Sequence, residues 1–455
     1  MGKKFDFEYI VIGSGPAGSA AALTLAKAKK RVALVEGRFF GGQNLNTRDV
    51  PYATALNFSH HYHKTLKFPE LAASDFSFNF PTIINRELKA ILAAGGNNPK
   101  PFEDAGIICI NGYANFLDAH TIAVGENKFT AENFILTTGS RLETSSISGT
   151  ELVNFLTPET AIRVRRLPKA ILIVGGGATG CEIATYYAEL GAKVILMEAE
   201  NRLLPREDKE IGKTLAEYFT EELGMLIVPN SKVVALEPEG SLKRVIFRND
   251  RREKMVRVDC IVLATGSRPV LNYGLENAGV KFGKNGVVVN KYLETSAKNI
   301  FAAGDCIGGE SSTDRAAFEG SLLASNLLGK TKSFLDYNGF ARVVNTSPSV
   351  ATVGLNEVDL AAKKRKFKKI VIPLSEALPS KFDDSTYGFI KILANSKNHI
   401  LGASIVAPNA EYLISELALA VRHNLSLLEV ASTPHLSSTY ASLIKLAAKK
   451  LIEKK

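Results

Sequence analysis

Two stretches of this chain, YIVIGSGPAGSAAALTLAKAKKRVALVE at residues 9–36 and AILIVGGGATGCEIATYYAELGAKVILME at residues 170–198, are versions of one pattern. Each opens with an apolar run, turns at three glycines, continues at helical period and returns to a second apolar run that ends in a glutamate. The glycines are Gly13, Gly15 and Gly18 in the first copy and Gly175, Gly177 and Gly180 in the second; the glutamates are Glu36 and Glu198. A lone GxGxxG marks many ordinary turns. Here each lies between a strand and a helix with an acidic residue about 20 positions on, the context that dinucleotide binding requires. The first glycine allows the tight turn, the second lets the backbone approach a pyrophosphate, and the third brings the helix close to the strand. The free N–H groups at the start of each helix are expected to face the phosphates.

Outward from these copies, each is later followed by an apolar strand that ends in a glycine turn, FILTTGS at 134–140 and IVLATGS at 261–267. Two nucleotide-binding units are the economical reading. After residue 335 the pattern changes to short strands (340–360, VIPLSEA, GFIKILA, HILGASIVAP) and two helices (ELALAVRH, TYASLIKLAAKKL), a third domain of α+β type.

Composition agrees with this. A chain of 455 residues is too long for one core, and 45% apolar with 22% charged residues excludes disorder, collagen and coiled coil. The 56 Lys and Arg against 46 Asp and Glu leave a net charge of +10, a moderate excess that does not by itself argue for nucleic acid. Cys109, Cys181, Cys260 and Cys306 form no CxxC pair and no metal-ligand spacing, and suit a reducing cytosol. The N-terminus lacks a cleavable signal pattern. Tyr9 to Ala26 carries no charge, yet its glycines, Pro16 and serines fit strand, turn and helix better than a bilayer crossing. A cytoplasmic protein with no transmembrane segment is expected.

With these motifs in order the chain resembles the FAD- and pyridine-nucleotide-dependent disulfide oxidoreductases, the group of lipoamide dehydrogenase, glutathione reductase and mercuric reductase. The resemblance rests on GSGPAG at 13–18 with Glu36, GG at 41–42, GYANF at 112–116, TTGS at 137–140, GGGATG at 175–180 with Glu198, ATGSRP at 264–269, NIFAAGD at 299–305, SPSVATVGL at 347–355 and the segment 401–421. It implies an α/β fold of two Rossmann-like nucleotide-binding domains plus a C-terminal α+β dimerisation domain. The expected boundaries are 1–148 with 266–335 for FAD, 149–265 for NAD(P)H and 336–455 for the interface of a homodimer. It also implies FAD contacts from Gly13, Gly15, Pro16, Ala17, Gly18, Glu36, Gly41, Gly42, Gln43, Tyr113, Ala114, Thr138, Gly139, Gly304 and Asp305. The nicotinamide nucleotide falls to Gly175, Gly177, Ala178, Gly180, Glu198 and Gly266. Glu198 favours NADH over NADPH, because a carboxylate accepts from a 2′-hydroxyl and repels a 2′-phosphate, although Arg202 and Arg206 lie close enough in sequence to answer a phosphate. Ala178 sits where some relatives carry a bulky side chain over the flavin, which leaves room for small acceptors.

The departures decide the function. Family members carry a redox-active cysteine pair in a stretch like GGTCxNxGCxPxK; this chain reads GGQNLNTRDVPYA at 41–53, with Asn44 and Asp49 at the two cysteine positions and Ala53 at the lysine. Neither side chain can form a disulfide or a thiolate. Glu182, the helix partner of that lysine, loses its mate. The family's HPTxxE motif is altered as well. An ungapped alignment puts Ser437 and Ser442 at the histidine and carboxylate; the other register keeps His435 but puts Tyr440 at the carboxylate, so the base and its orienting group are expected to be broken. FAD-dependent oxidation of NAD(P)H with direct transfer to a small non-disulfide acceptor (quinone, oxygen or dye) is therefore expected, with nicotinamide transhydrogenation or a flavin-containing binding protein without turnover as alternatives. Candidate catalytic residues are Asp49, with its carboxylate shifted by burial and by Arg48 to relay a proton, together with Asn44, Ser437 and Glu182.

Weaker signals remain. His60, His61 and His63 cluster in FSHHYH; a polar helix surface is favoured over a metal site. KKRKFKK at 363–369 carries six positive charges and reads as a solvated helix–strand connection, with contact to an anionic membrane surface, nucleic acid or an acidic partner as the alternative. Cys181 and Cys306 read as small packed residues.

Overall fold

The computed structural model describes residues 5–67, 78–143, 147–382 and 386–454. It forms two compact units. The first comprises Met1–Ala55, Asn79–Glu143 and Gly266–Asp336; the second comprises Leu56–Phe78, Thr144–Thr265 and Tyr337–Lys455. The segments expected to bind the nicotinamide nucleotide and to form the interface thus share one unit.

In the first unit, β1 (Phe7–Ile12), α1 (Pro16–Lys27), β2 (Val32–Glu36), α2 (Gly42–Asn46), α3 (Asp49–Leu66) and β3 (Asn127–Leu136) follow the expected order, and α3 passes into the second unit from Leu56. The sheet runs Ile108–Asn111, β2, β1, β3, Thr121–Val124, Ala114–Asp118, with Ile300–Ala302 also paired to β3. Its central pairs are parallel, with Tyr9 opposite Val32 and Ile12 opposite Leu136. Such a sheet is covered on both faces, so its strands read as continuous apolar runs. Ile10 and Ile12 face a core with Phe116 and Phe134, while Tyr9 and Val11 face α1 and the helix Thr313–Leu328. Ile10, Val11 and Leu34 are fully buried, and each such side chain contributes about 1.5–3 kcal/mol.

The second unit repeats the arrangement with β4 (Ala170–Val174), α4 (Ala178–Glu189), β5 (Lys193–Met197), α5 (Lys209–Glu221), β6 (Leu226–Val228) and β7 (Cys260–Leu263), in a parallel sheet ordered β6, β5, β4, β7. An antiparallel three-stranded sheet over 231–258 intervenes before β7; its strands escaped the sequence reading. The C-terminal segment contributes β8 (Ala341–Val344), β9 (Ser349–Gly354), α6 (Glu357–Ala362), β10 (Lys368–Pro373), β11 (Phe389–Ala394), β12 (Ile400–Ala407), α7 (Ala410–Arg422), α8 (Leu427–Ser432) and α9 (Ser442–Glu453). Its sheet is antiparallel, in the order β8, β9, β12, β11, β10. Ile390, Ile392 and Ile405 pack with Leu417 of α7 and Ile444 of α9. The basic run joins α6 to β10 as expected, with residues 363–366 exposed.

Candidate functional site

The first glycine turn sits between β1 and α1. Gly13 has φ +103°, and a Cβ there would lie 2.3 Å from the Thr137 carbonyl oxygen, so only glycine fits. A Cβ on Gly18 would meet the Gly13 oxygen at 1.8 Å, which fixes how closely α1 crosses the turn. At Gly15 a Cβ would meet nothing within 4 Å, and no side chain caps the helix that it opens. Open space in front of uncapped N–H groups fits a pyrophosphate. Pro16 occupies the first helical turn, where a missing N–H costs nothing. Glu36 is held at the end of β2 by three donors: Ser14 N (2.9 Å) and Ser14 Oγ (2.6 Å) to Oε2, and Arg38 N (2.8 Å) to Oε1. Ser14 Oγ also accepts from Gly41 N at 3.1 Å, which links the turn to the GG segment.

The remaining FAD candidates gather in the same unit. A Cβ on Gly42 would fall 2.5 Å from Gly15 Cα, so the start of α2 presses on the turn. Gln43 Nε2 donates to the Ser140 carbonyl at 3.1 Å, and Thr138 Oγ1 donates to the Val270 carbonyl at 3.1 Å beside Gly139. The Tyr113 ring packs against Gly37 and is otherwise exposed, next to buried Ala114. Asp305 Oδ2 accepts from Ser140 Oγ (2.8 Å) and Ser311 Oγ (2.5 Å). Gly304 N donates to the buried Glu319 Oε2 at 2.6 Å, and Arg315 bonds the other Glu319 oxygen at 2.8 Å. These bonds bring the Asp305 turn against Ala17. Ser14, Ser140, Ser311 and Glu319 were not among the expected FAD contacts, although Ser14 lies within GSGPAG and Ser140 within TTGS.

The positions of the missing cysteine pair do come together. Asn44 Nδ2 donates to Asp49 Oδ2 at 3.2 Å, and Thr313 Oγ1 bonds the same oxygen. Asp49 opens α3 and is exposed, which corrects the expectation that burial acts on its carboxyl. Asn46 between them is buried and donates to the Phe40 and Gly42 carbonyls at 3.0 and 2.8 Å. The two side chains at the positions aligned with the cysteine pair thus share one hydrogen bond.

The second glycine turn repeats the first. Gly175 has φ +111° with a would-be Cβ 2.4 Å from the Ala264 oxygen, Gly180 would meet the Gly175 oxygen at 1.8 Å, and Gly177 faces open space with no side-chain cap on α4. Ala178 is exposed at the head of α4, and Gly266, also exposed, has φ +101°. Glu198 is buried; its Oε2 accepts from Gly176 N at 2.6 Å and its Oε1 from Glu200 N at 2.8 Å.

Residues 7–320 match the family described as Pyridine nucleotide-disulphide oxidoreductase, and residues 340–448 match its dimerisation domain. The chain belongs to this family. It is 30% identical over 451 residues to a protein named Mercuric reductase from Bacillus cereus, a match that covers 97% of this chain and 71% of the relative. It is 27% identical over 453 residues to a Dihydrolipoyl dehydrogenase from Bacillus subtilis, covering 97% and 96%. It also shares its fold with the HOCl-induced flavoprotein disulfide reductase RclA from Escherichia coli, at TM-score 0.86 and 24% identity over 97% of this chain and 99% of that one. The family is FAD-dependent and uses NAD(P)H, so this member is a flavoprotein oxidoreductase.

The other candidate catalytic positions have the following surroundings. Glu182 Oε1 accepts from Asn345 N and Nδ2 at 2.9 and 3.0 Å. Ser437 is exposed. The carboxylate position of the HPTxxE motif holds Tyr440 or Ser442, as expected, and His435 pairs instead with a carboxylate from outside the motif. His435 Nε2 lies 3.0 Å from both oxygens of Glu416 on α7, and its Nδ1 lies 2.8 Å from the Thr433 carbonyl. The His435–Glu416 bond itself left no signal in the sequence, because the carboxylate lies on an earlier helix. FSHHYH lies on α3 at a polar, partly exposed helix surface. His60 Nδ1 sits 2.7 Å from the buried Glu189 and 3.1 Å from Ser347 Oγ, while His61 is exposed. Among the described residues no group of three His, Cys, Asp or Glu side chains could hold a metal ion, and no helix is long and apolar enough to cross a membrane.

Proposed function

We propose that this protein oxidises NADH through bound FAD and delivers the electrons directly to a small non-disulfide acceptor, a quinone, oxygen or a dye-like molecule. The observation that carries the reading is the Asn44–Asp49 side-chain bond at 3.2 Å, in the place of the family's redox-active sulfur. No other thiol is equipped to substitute. All four cysteines are free; burial pushes the Cys306 thiol up to about 12 and Cys109 up to about 11, and also raises Cys181 and Cys260. Protonated thiols are poor nucleophiles at neutral pH.

Gly15, Glu36, Gly42 and Asp305 would hold FAD in the first unit, and Gly177 and Glu198 the nicotinamide nucleotide in the second. FAD, when bound, supplies acceptance of a hydride from NADH and its onward delivery as electrons. The chain's part is to bind, orient and manage protons. Asp49 Oδ2, fixed by Asn44 and Thr313, is the proton-relay candidate at the sulfur-free bridge. Glu198 reads a ribose diol and so selects NADH. We assign a homodimer to the C-terminal segment, supported by the dimerisation-domain match and by Tyr412, Leu419, Leu428 and Leu436, exposed by 76%, 57%, 66% and 73%. Free thiols fit a cytoplasmic setting.

The test is anaerobic mixing of the holoenzyme with NADH, followed by separate additions of a quinone, oxygen, lipoamide and glutathione disulfide. The flavin absorbance bleaches on NADH, returns with quinone or oxygen and does not return with either disulfide. Turnover of a disulfide would overturn the proposal.

A further inference from the structure

The loop between β5 and α5 carries Arg202, the cation nearest Glu198 in sequence on that side. Its Nη2 donates to the Pro205 carbonyl at 2.8 Å and lies 3.3 Å from the Glu207 carbonyl, so the guanidinium is folded back on its own loop. Leu203 presses the same loop against the glycine turn: a Cβ on Gly176 would meet Leu203 Cδ2 at 2.7 Å and Glu198 Cβ at 3.0 Å. Beside Arg202 and Leu203 a cavity of about 840 Å³ opens along α5, with Gly212 and Ala216 in its wall.

The residues that give this loop its shape are each held by the C-terminal segment. The Arg206 carbonyl accepts from Asn356 Nδ2 at 3.0 Å. The Glu207 carboxylate takes two near-parallel bonds from Arg342, Nε to Oε1 at 3.2 Å and Nη2 to Oε2 at 3.1 Å. Asp208, buried, accepts from Glu357 N at 2.9 Å and lies 2.8 Å from the Lys391 ammonium. Lys391, in the middle of β11, is fully buried and also bonds Glu210 at 3.1 Å and Glu357; Lys369 bonds Glu357 at 2.8 Å. Three carboxylates and two ammonium groups compensate one another there. Breaking a buried pair leaves a charge out of water, so the start of α5 is pinned and cannot drift.

We infer that these bonds form a selectivity clamp: Arg342, Asn356 and Lys391 hold residues 206–208 so that Arg202 stays engaged by its own carbonyls and is withheld from a 2′-phosphate, which makes the C-terminal sheet a determinant of nucleotide choice. The inference rests on the reading of Glu198 as an NADH selector. Arg342 and Lys391 are positioning residues; neither is placed at the nucleotide. Loosening the clamp frees Arg202, whose planar fork matches phosphate.

The holoenzyme is titrated calorimetrically with ADP-ribose and with 2′-phospho-ADP-ribose, which reads binding without turnover. In Arg342→Ala the ratio of the two dissociation constants shifts roughly tenfold toward the 2′-phosphate, and the shift vanishes in Arg342→Ala/Arg202→Ala. Glu207→Gln, which keeps the side-chain size, gives the same direction if Arg342→Ala fails to fold. Equal weakening of both ligands, or a gain that survives loss of Arg202 or runs through Arg206 in an Arg206→Ala control, overturns the clamp. A wild-type preference for the 2′-phosphate would overturn the Glu198 reading, with the clamp still judged by the shift in ratio.

Discussion

The two glycine turns share their backbone solution and differ in what closes over them. Gly13 and Gly175 take φ +103° and +111°, and Gly18 and Gly180 each approach the preceding turn's carbonyl to the same 1.8 Å from a would-be Cβ. Such sameness follows from sterics, because a strand, a tight turn and a close helix leave few backbone paths. After Glu36 the chain comes back at once, and Gly42 backbone presses on Gly15. After Glu198 the loop at 201–208 is held by side chains from β8, from Asn356 at the cap of α6 and from β11. Closure by backbone suits a resident cofactor; closure by side-chain bonds suits a ligand that comes and goes. On the proposed assignment, one duplicated motif would serve two kinds of binding through the segments that follow it.

The comparison breaks most sharply at the first glycines. Gly13→Ala would force a Cβ onto the Thr137 carbonyl, and the purified protein should retain under about a tenth of its flavin, read from its absorbance spectrum. Gly175→Ala should leave flavin content unchanged while NADH-dependent bleaching slows by about a hundredfold or more. Loss of flavin in both would show that the turns do not act separately.

Next is the segment after the first turn. The Asn44–Asp49 contact predicts that Asn44→Cys/Asp49→Cys closes a disulfide in air, read as a mass loss of about two hydrogens and as thiols that titrate only after reduction. Two thiols that stay free would show that the backbone no longer keeps the family geometry.

A smaller effect separates ligand from scaffold. Cβ atoms added at Gly15 or Gly177 meet no protein atom within 4 Å. Each alanine variant should keep its stability to urea within about 0.5 kcal/mol, yet lose roughly tenfold in affinity for its own ligand, FAD or ADP-ribose. Unequal stability losses would mean that one space is not a ligand cradle.

The smallest effect concerns acid stability in the second unit. Burial holds the His63 imidazole below its usual value, against an opposing pull from Glu189. The unfolded chain then binds a proton at higher pH than the folded one, so this contribution is present above about pH 6.5 and is lost as the pH falls below it. His63→Gln should flatten the urea midpoint between about pH 5 and 7; an unchanged slope would remove His63 as its source.

Legibility in the sequence followed distance along the chain. The paired turns could be read because glycine spacing, helical period and the closing glutamate all lie within one short stretch. The positions of Asn44 and Asp49 were legible from neighbouring motif residues, but their mutual bond and the Thr313 contact were not. His435–Glu416 and His60–Glu189 went unseen because each carboxylate belongs to another helix. Lys391 was hidden in GFIKILA, which reads as an apolar strand, since its three carboxylate partners come from residues 208, 210 and 357. Long-range polar pairing leaves no periodicity to read.

The central claim is that no second redox centre stands between FAD and the acceptor, and an anaerobic titration of the holoenzyme with dithionite counts the centres directly. The account predicts complete reduction after about one two-electron equivalent per bound FAD; uptake of about two such equivalents would reveal a reducible disulfide and contradict it.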